Sequence, residues 1–382
     1  MTETTVTACA RLRDWFIQDA LPLWSAKGYD HQNGGFYETL GFSGEPIRNR
    51  ARRVRVQARQ IYTFTQSAML GWCADEKLAT QAFDYFLDKA CPDNGNRGCV
   101  HLLSNDGDVL DNRRDLYDQA FLLLVCAARI NAGDDRAQSL AENTIAFIDT
   151  ELKNTSGGWN ENDSSALPRR QNPHMHLFEA FMALYEVTKE QRFLAYADTL
   201  YALFIEKFFD AKRGVLLEYF NTDLTPTSDA DRQTIEPGHM MEWVWLLKRY
   251  QKLGRSFDET VPQTLFSRSL SLGADCQHLL LDHVALSGPD AEKSRRVWPQ
   301  TEFIKASLLM AQSNTPNLQV DIPGLIDNIF QTYFNLPVTG LWHDQHDGSG
   351  AQIAQDVPAS ILYHWFEAAK QASCFINDEG NL

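Results

Sequence analysis

The sequence predicts an all-α fold of repeated helical hairpins, and three observations carry that expectation. Helical periodicity recurs in twelve stretches that fall into six pairs. Short Gly-led segments separate most pairs, among them Asn33-Gly-Gly-Phe-Tyr-Glu38, Ser156-Gly-Gly-Trp159 and Gly214-Val-Leu-Leu-Glu-Tyr219. One polar residue on the second helix of each pair, namely Arg59, Asp118, His176, His239, Glu302 and His364, recurs at intervals of 59, 58, 63, 63 and 62 residues. A near-constant period marks a repeated unit. Six hairpins with long loops on one face and short ones on the other can close into a ring, the (α/α)6 barrel. The N-terminal turns of its six inner helices would then face one cavity. An open solenoid is the competing geometry, but it spreads polar residues along its concave face. Here they gather at one end of the inner helices.

Taken in order, the first amphipathic helix spans about 7–26 and stops at Lys27-Gly28, a usual helix end. Helices over about 52–73 and 76–89 follow, then a loop from Pro92 to Gly98 and a short hairpin from His101 to Gly107. The next stretches are 114–132 and 135–152, 173–188 and 191–209, then 237–253 and 259–282. His283 to Gly288 is a short extended piece. Helices over 298–313 and 319–334 precede Gly340-Leu-Trp-His-Asp344, and a last one runs from Pro358 to about 373. Pro173, Pro237, Pro299 and Pro358 stand near the starts of four second-of-pair helices, where a missing N–H costs nothing. No low-complexity linker or shift in composition divides residues 1–382, so a single domain is expected.

Composition narrows the function. The chain is 44% hydrophobic and 22% charged, with 9 Trp, 12 Tyr and 22 Phe, a stock of rings suited to lining a pocket. A net charge of −15 argues against nucleic acid or an anionic membrane as partner. Seven cysteines (9, 73, 91, 99, 126, 276 and 374) show no C-x-x-C pairing and read as reduced thiols of a cytoplasmic protein. No basic-then-apolar leader opens the chain, and no run nears 18 apolar residues.

The chemistry concentrates at the starts of the second-of-pair helices. In Asn172-Pro-His-Met-His176, Asn172 reads as the N-cap, with His176 one turn in and Glu179 three residues on. His174 points elsewhere, about 200° around the helix. In Glu236-Pro-Gly-His239-Met-Met-Glu242, the imidazole has Glu242 at i+3, placed to fix its tautomer. His364 follows Pro358 by nearly two turns. Arg55 and Arg59 form a basic i,i+4 pair, Tyr117 precedes Asp118, and Trp298 stands four residues before Glu302. Each has a plain structural alternative: a satisfied core histidine, an ion pair between helices, or Lys305 neutralising Glu302. Trp342-His-Asp344 can cover the cavity from its loop. His174 and His176 diverge on a helix and no H-E-x-x-H or cysteine cluster supports them, so no metal is expected. Nucleotide loops and G-x-S-x-G are absent. Several histidines in one cavity suit proton transfer near neutral pH without a cofactor. Next to a carbonyl such transfer needs a base, an acid and a cation for the enediolate oxygen, and Arg59 can supply the last.

The ordered motifs RVQARQIY, LYDQAF, NPHMHLFEA, EPGHMMEW, RVWPQTE and PASILYH together resemble the N-acylglucosamine 2-epimerase superfamily over nearly the whole chain. The resemblance implies an (α/α)6 barrel and cofactor-free isomerisation or 2-epimerisation of a reducing sugar. By position it implies that His364 and His239 are the acid–base pair and that His176 opens the ring or holds the substrate. It also implies that Arg59, Asn172 and Glu242 hold sugar oxygens or support a histidine. The NPHMH stretch is similar to the mannose isomerase, sulfoquinovose isomerase and cellobiose 2-epimerase branches. Arg55 stands where several relatives have Trp, which leaves room for a more anionic sugar.

The expectation is an aldose–ketose isomerase acting on a free monosaccharide, D-mannose to D-fructose, as monomer or homo-oligomer. Tyr117, Trp298, Glu302 and Arg55 would join the substrate-binding set. A 2-epimerase shares this inventory. A glycoside hydrolase would need two carboxylates across the scissile bond, with Asp118 and Glu302 as the available pair. A non-catalytic sugar-binding protein is a further alternative. Sugar phosphates stay open because Arg169, Arg170, Arg295 and Arg296 can reach the rim.

Overall fold

The structure, a computed structural model, describes residues 3–73, 76–229, 232–286, 293–313 and 320–379. Its helices are, in chain order, α1 (Thr5–Trp15), α2 (Val54–Met69), α3 (Glu76–Ala90), α4 (Leu116–Asn131), α5 (Arg136–Phe147) and α6 (Gln171–Thr188). There follow α7 (Gln191–Leu203), α8 (Pro237–Lys252), α9 (Thr260–Gly273), α10 (Trp298–Gln312), α11 (Ile322–Tyr333) and α12 (Leu362–Glu379). Even-numbered helices form an inner ring, each packed on the next, and α12 returns to α2 to close it. Odd-numbered helices pack outside, with α1 held against α12 and α11. The chain is thus an (α/α)6 barrel. None of its described helices is long and apolar enough to cross a membrane.

Burial explains the alternation. Outer α11 hides one stripe, Ile322, Leu325, Ile326, Ile329 and Tyr333, and its first turn is capped by Asp321 accepting from Gly324 N–H. Inner α4 is buried on every face from Asp118 to Arg129, between outer helices and the middle of the ring. Each fully buried Leu or Phe there contributes about 1.5–3 kcal/mol.

Two-residue strands form a collar around one mouth of the ring. Arg52–Arg53 pairs with Leu102–Leu103, Arg169–Arg170 with Tyr219–Phe220, and Thr234–Ile235 with Val284–Ala285. Arg295–Arg296 pairs with Gln345–His346, and Val357–Pro358 returns to Thr39–Leu40. Each strand that leads into an inner helix is therefore tied to a neighbouring loop, which sets where the helix begins. Inner-helix glutamines add a second tie. Gln57 exchanges hydrogen bonds with the backbone of Phe36, Gln119 with Cys99, and Gln300 with Leu280.

Several boundaries differ from expectation. The first helix continues past Trp15 in wider turns and a short α segment (Leu21–Leu23) as far as Gly28. α9 stops at Gly273 rather than near 282, because Asp275 accepts from Gln277 N–H and Leu279 N–H and turns the chain. α6 starts at Gln171, so Asn172 lies within its first turn and is not the N-cap. The strand at Arg170 runs directly into the helix, and Gln171 N–H donates to the Glu218 carbonyl. Pro358 belongs to a strand, and the chain reaches α12 through a 3-10 turn (Ala359–Ile361), which puts His364 in the first turn. The start of the helix expected over 319–334, at residue 319, and Ser287-Gly288 lie outside the described residues.

Candidate active site

The collar and the first turns of the inner helices enclose a cavity of about 210 Å³, and His176, His239, His364, Arg59, Asn172, Tyr117, Glu242, Trp298 and Arg55 all line it. A larger groove of about 760 Å³ runs beside α9, but neither a histidine nor a carboxylate lines it. Proton chemistry therefore has only the smaller cavity of these two.

His364 comes from α12. Its Nδ1 lies 2.9 Å from Glu302 Oε1, on α10, which leaves Nε2 as the free ring nitrogen. Burial pushes this imidazole well below its ordinary pKa, and Arg59 and Lys305 add to the effect, so it is neutral. A neutral ring with Nδ1–H held by a carboxylate is a base at Nε2.

His239, at the start of α8, has the opposite setting. Its Nδ1 is 3.1 Å from Glu218 Oε2 and 3.4 Å from Glu236 Oε2. Burial opposes the charge, but Glu236 and Glu218 outweigh it and lift the pKa to about 10. The ring is an imidazolium and thus an acid. Its Nε2 lies 3.1 Å from the Asn172 side-chain amide. As an imidazolium it donates from both nitrogens, and the amide oxygen is the Asn172 atom suited to meet it. Two histidines driven in opposite directions give the cavity a base and an acid at the same pH. Both lie against one indole, with ring centroids 5.0 Å (His239) and 5.7 Å (His364) from Trp298.

His176 occupies the remaining wall. Its Nδ1 is 3.2 Å from Glu179 Oε2, and its ring stacks on Tyr117 at 5.1 Å. Burial lowers its pKa to about 4 despite Glu179. Its Nε2 lies 3.4 Å from the Tyr117 hydroxyl and 3.9 Å from Glu242 Oε1. Arg59 donates to that hydroxyl at 2.7 Å and stacks over Phe121. Burial, with Glu302 adding to it, raises the Glu242 pKa to about 8, so this carboxyl holds its proton at neutrality. Glu242 Oε1 and Arg59 Nε are buried and make no hydrogen bond within the protein, as in sites where a ligand completes the hydrogen bonding.

Some expected contacts fall elsewhere. Glu242 makes no hydrogen bond to His239, although it acts on that ring through space; the neighbouring row of α8 turns it toward His176, and the loop residue Glu218 takes the hydrogen-bonding place. Glu302 is fully buried behind His364 and does not line the cavity. Asp118 is also walled off, paired with Arg55 at 3.3 Å and His101 Nδ1 at 2.6 Å. Trp342 does not cover the mouth, since it is buried and stacked on Trp24. Of the four rim arginines only Arg296 lines the cavity. Arg169 is buried and donates to loop carbonyls, Arg170 pairs with Glu161, and Arg295 pairs with Asp275. Glu218 and Glu236 escaped sequence reasoning. The available signal was an acid at the end of successive Gly-led loops, at Glu38, Glu161 and Glu218.

Among the described residues, three groupings bring potential metal-ligand atoms within 4.8 Å: His101, Asp115 and Asp118; His176, Glu179 and Glu242; Glu218, Glu236 and His239. In each an imidazole Nδ1 already faces a carboxylate at hydrogen-bond distance, an arrangement that holds a proton. His174 is separate from all of them, with its ring turned to Trp159 N–H and the Arg170 carbonyl.

Residues 35–368 match the sequence model of the N-acylglucosamine 2-epimerase (GlcNAc 2-epimerase) family. The chain is 33% identical over 368 residues to a protein of Rhizobium meliloti (strain 1021) named mannose-6-phosphate isomerase, covering 92% of this chain and 93% of that one. Its backbone follows a cellobiose 2-epimerase from Spirochaeta thermophila DSM 6192 with a TM-score of 0.86, at 22% identity and 97% coverage of both chains. A D-mannose isomerase structure superposes with a TM-score of 0.83 at 19% identity, over 95% of this chain and 97% of that one. The chain belongs to the N-acylglucosamine 2-epimerase family of sugar isomerases and epimerases.

Proposed function

We propose that this enzyme is an aldose–ketose isomerase that interconverts D-mannose and D-fructose through a cis-enediol. The observation that carries the reading is the opposed setting of two imidazoles on one indole, a neutral His364 and a cationic His239. His176, between Glu179 and the Tyr117 hydroxyl, serves the ring oxygen and the anomeric hydroxyl during ring opening. In the open aldose, His364 Nε2 takes the C2 proton, and the C2–H electron pair becomes the C1=C2 double bond. The aldehyde oxygen gathers charge beside Arg59 and receives a proton from His239. The C2 hydroxyl then gives its proton back to the now neutral His239 as the C2 carbonyl forms, and His364, its Nε2 proton exchanged with solvent in the enediol, protonates C1. A 2-epimerase would differ in one step, with His239 protonating C2 from the opposite face.

The hydrolase reading loses support because Asp118 and Glu302 are both buried in ion pairs behind the wall. A hexose carrying an anionic group is a second reading. Arg53, Arg55, Arg59 and Arg296 all reach the cavity, and Arg296 is exposed at its mouth. The name of the Rhizobium meliloti relative agrees with that reading. The test is incubation with D-mannose in deuterated water, followed by NMR. Fructose labelled at C1 is expected. Glucose in place of fructose would make the enzyme an epimerase, and an unexchanged C2 proton with no product would sink the proposal for free mannose.

A further inference from the structure

Behind the cavity wall lies a charge whose role in proton transfer is separate from binding. Lys305 is fully buried on α10, one turn after Glu302, and its Nζ is 2.6 Å from Glu302 Oε2. This approach is an ion pair and not an aligned hydrogen bond, since neither atom has a hydrogen-bond partner of good geometry. The ammonium also rests 3.8 Å from the centre of the Trp245 indole on α8. It does not line the cavity. A buried ammonium held by one carboxylate and a ring is costly unless it serves its surroundings.

Those surroundings hold too many acids for the available cations. Glu242 on α8 and Glu367 on α12 act on Lys305 along with Glu302. On α6, Glu179 accepts from the Tyr363 hydroxyl at 2.6 Å and meets His176 and Arg249. Glu367 accepts from the Tyr62 hydroxyl at 2.7 Å and meets Lys370. Glu302 and Glu242 are left to share Lys305. The contact distance selects Glu302, and like-charge repulsion then keeps the proton on Glu242.

We propose that Lys305 is a positioning residue: its ammonium keeps the negative charge on Glu302, which holds His364 with Nδ1 protonated and Nε2 bare toward the sugar, and leaves Glu242 as a neutral acid at the cavity wall. This rests on the isomerase–epimerase reading of the site. The raised pKa of Glu242 and the ionised state of Lys305 agree with it.

The experiment compares Lys305→Met and Lys305→Arg with the native enzyme. In K305M, Glu302 loses its cation and takes a proton near neutrality. At neutral pH kcat should fall at least about tenfold with KM within about threefold, and the acid limb of the kcat profile should move up by at least about one pH unit. K305R should restore the native profile. An unshifted profile in a folded K305M, or a loss equal at every pH that K305R does not restore, overturns the proposal. Should both variants fail to fold, the native protein decides. Histidine ring-nitrogen NMR should show His364 as the Nδ1–H tautomer. Infrared difference spectra should show a protonated buried carboxyl whose band is absent from Glu242→Gln. A band that persists in Glu242→Gln places the proton on another acid and overturns the proposal. These spectra need no turnover, so they stand even if the isomerase reading fails.

Discussion

Glu218 Oε2 lies 3.1 Å from His239 Nδ1, so a loop carboxylate, 21 residues upstream in the chain, sets the charge of an imidazole in the first turn of α8. Glu218 Oε2 also accepts from the Gln171 side chain at 3.0 Å, which ties that oxygen to the start of α6. Removing the charge while keeping the shape should make His239 a weaker base. Glu218→Gln is expected to lower the basic limb of the kcat/KM profile, set by His239 at about 10, by at least about one pH unit. Titration of the rate against pH checks this, and an unmoved limb would reassign the acid.

The same opposition of charges sets the shape of the native profile. His364, held low by burial, is deprotonated throughout the neutral range, and His239 keeps its proton until the pH reaches about 10. Base and acid are then both in their working forms across the neutral range. We expect activity to hold there, to step down near pH 8 as Glu242 gives up its proton and again toward pH 10 as His239 does, with an acid limb below the ordinary histidine range. A bell centred near pH 6 would contradict these assignments.

His364 and His239 should separate kinetically. In the proposed mechanism His364→Asn removes the base for the C2 proton, so isomerisation and exchange at C2 should both drop by about 10²–10⁴-fold. His239→Asn leaves that base in place. Exchange at C2 should therefore persist in part while net turnover falls. Deuterium incorporation against product formation, measured on one sample, tells the two variants apart.

The architecture was legible because it is periodic. Arg59, Asp118, His176, His239, Glu302 and His364 all lie in the first two turns of an inner helix, and repetition survives when any single helix signal is weak. Partners within the site were less legible. Glu242 was paired with His239 because i,i+3 is the relation a sequence displays, yet the supporting acid arrives from a loop. Likewise the spacing from Trp298 to Glu302 suggested two sugar contacts. Only Trp298 faces the cavity, because Glu302 lies on the row of α10 that meets Lys305 and His364. Contacts between helices depend on which row faces which neighbour. Local pattern does not encode that.

Arg296 offers a test of substrate charge. It is exposed at the cavity mouth and follows Arg295, whose guanidinium is committed to Asp275. If the substrate carries a phosphate, Arg296→Ala should raise KM for the phosphorylated hexose about tenfold, near 1.4 kcal/mol, and leave KM for the free hexose unchanged. Equal effects on both sugars would make Arg296 a general wall residue. Parallel assays on D-mannose and its phosphate ester give the answer.

The glutamine ties make a prediction about stability that is independent of catalysis. Gln119 accepts from Cys99 N–H at 2.9 Å and donates to the Cys99 carbonyl at 2.9 Å, all four atoms buried. Truncation to alanine strands one buried donor and one buried acceptor, each costing about 1–3 kcal/mol. The loop approaches so closely that a Cβ on Gly98, where φ is +64°, would sit 1.9 Å from Gln119 Oε1. Gln119→Ala should therefore lower unfolding stability by about 2–4 kcal/mol, and Gly98→Ala should also destabilise by strain at positive φ. The double variant should cost less than the sum of the two, since removing the Gln119 side chain relieves the clash at position 98. Urea denaturation of the three variants measures this, and strictly additive losses would show that Gln119 and Gly98 do not act on each other.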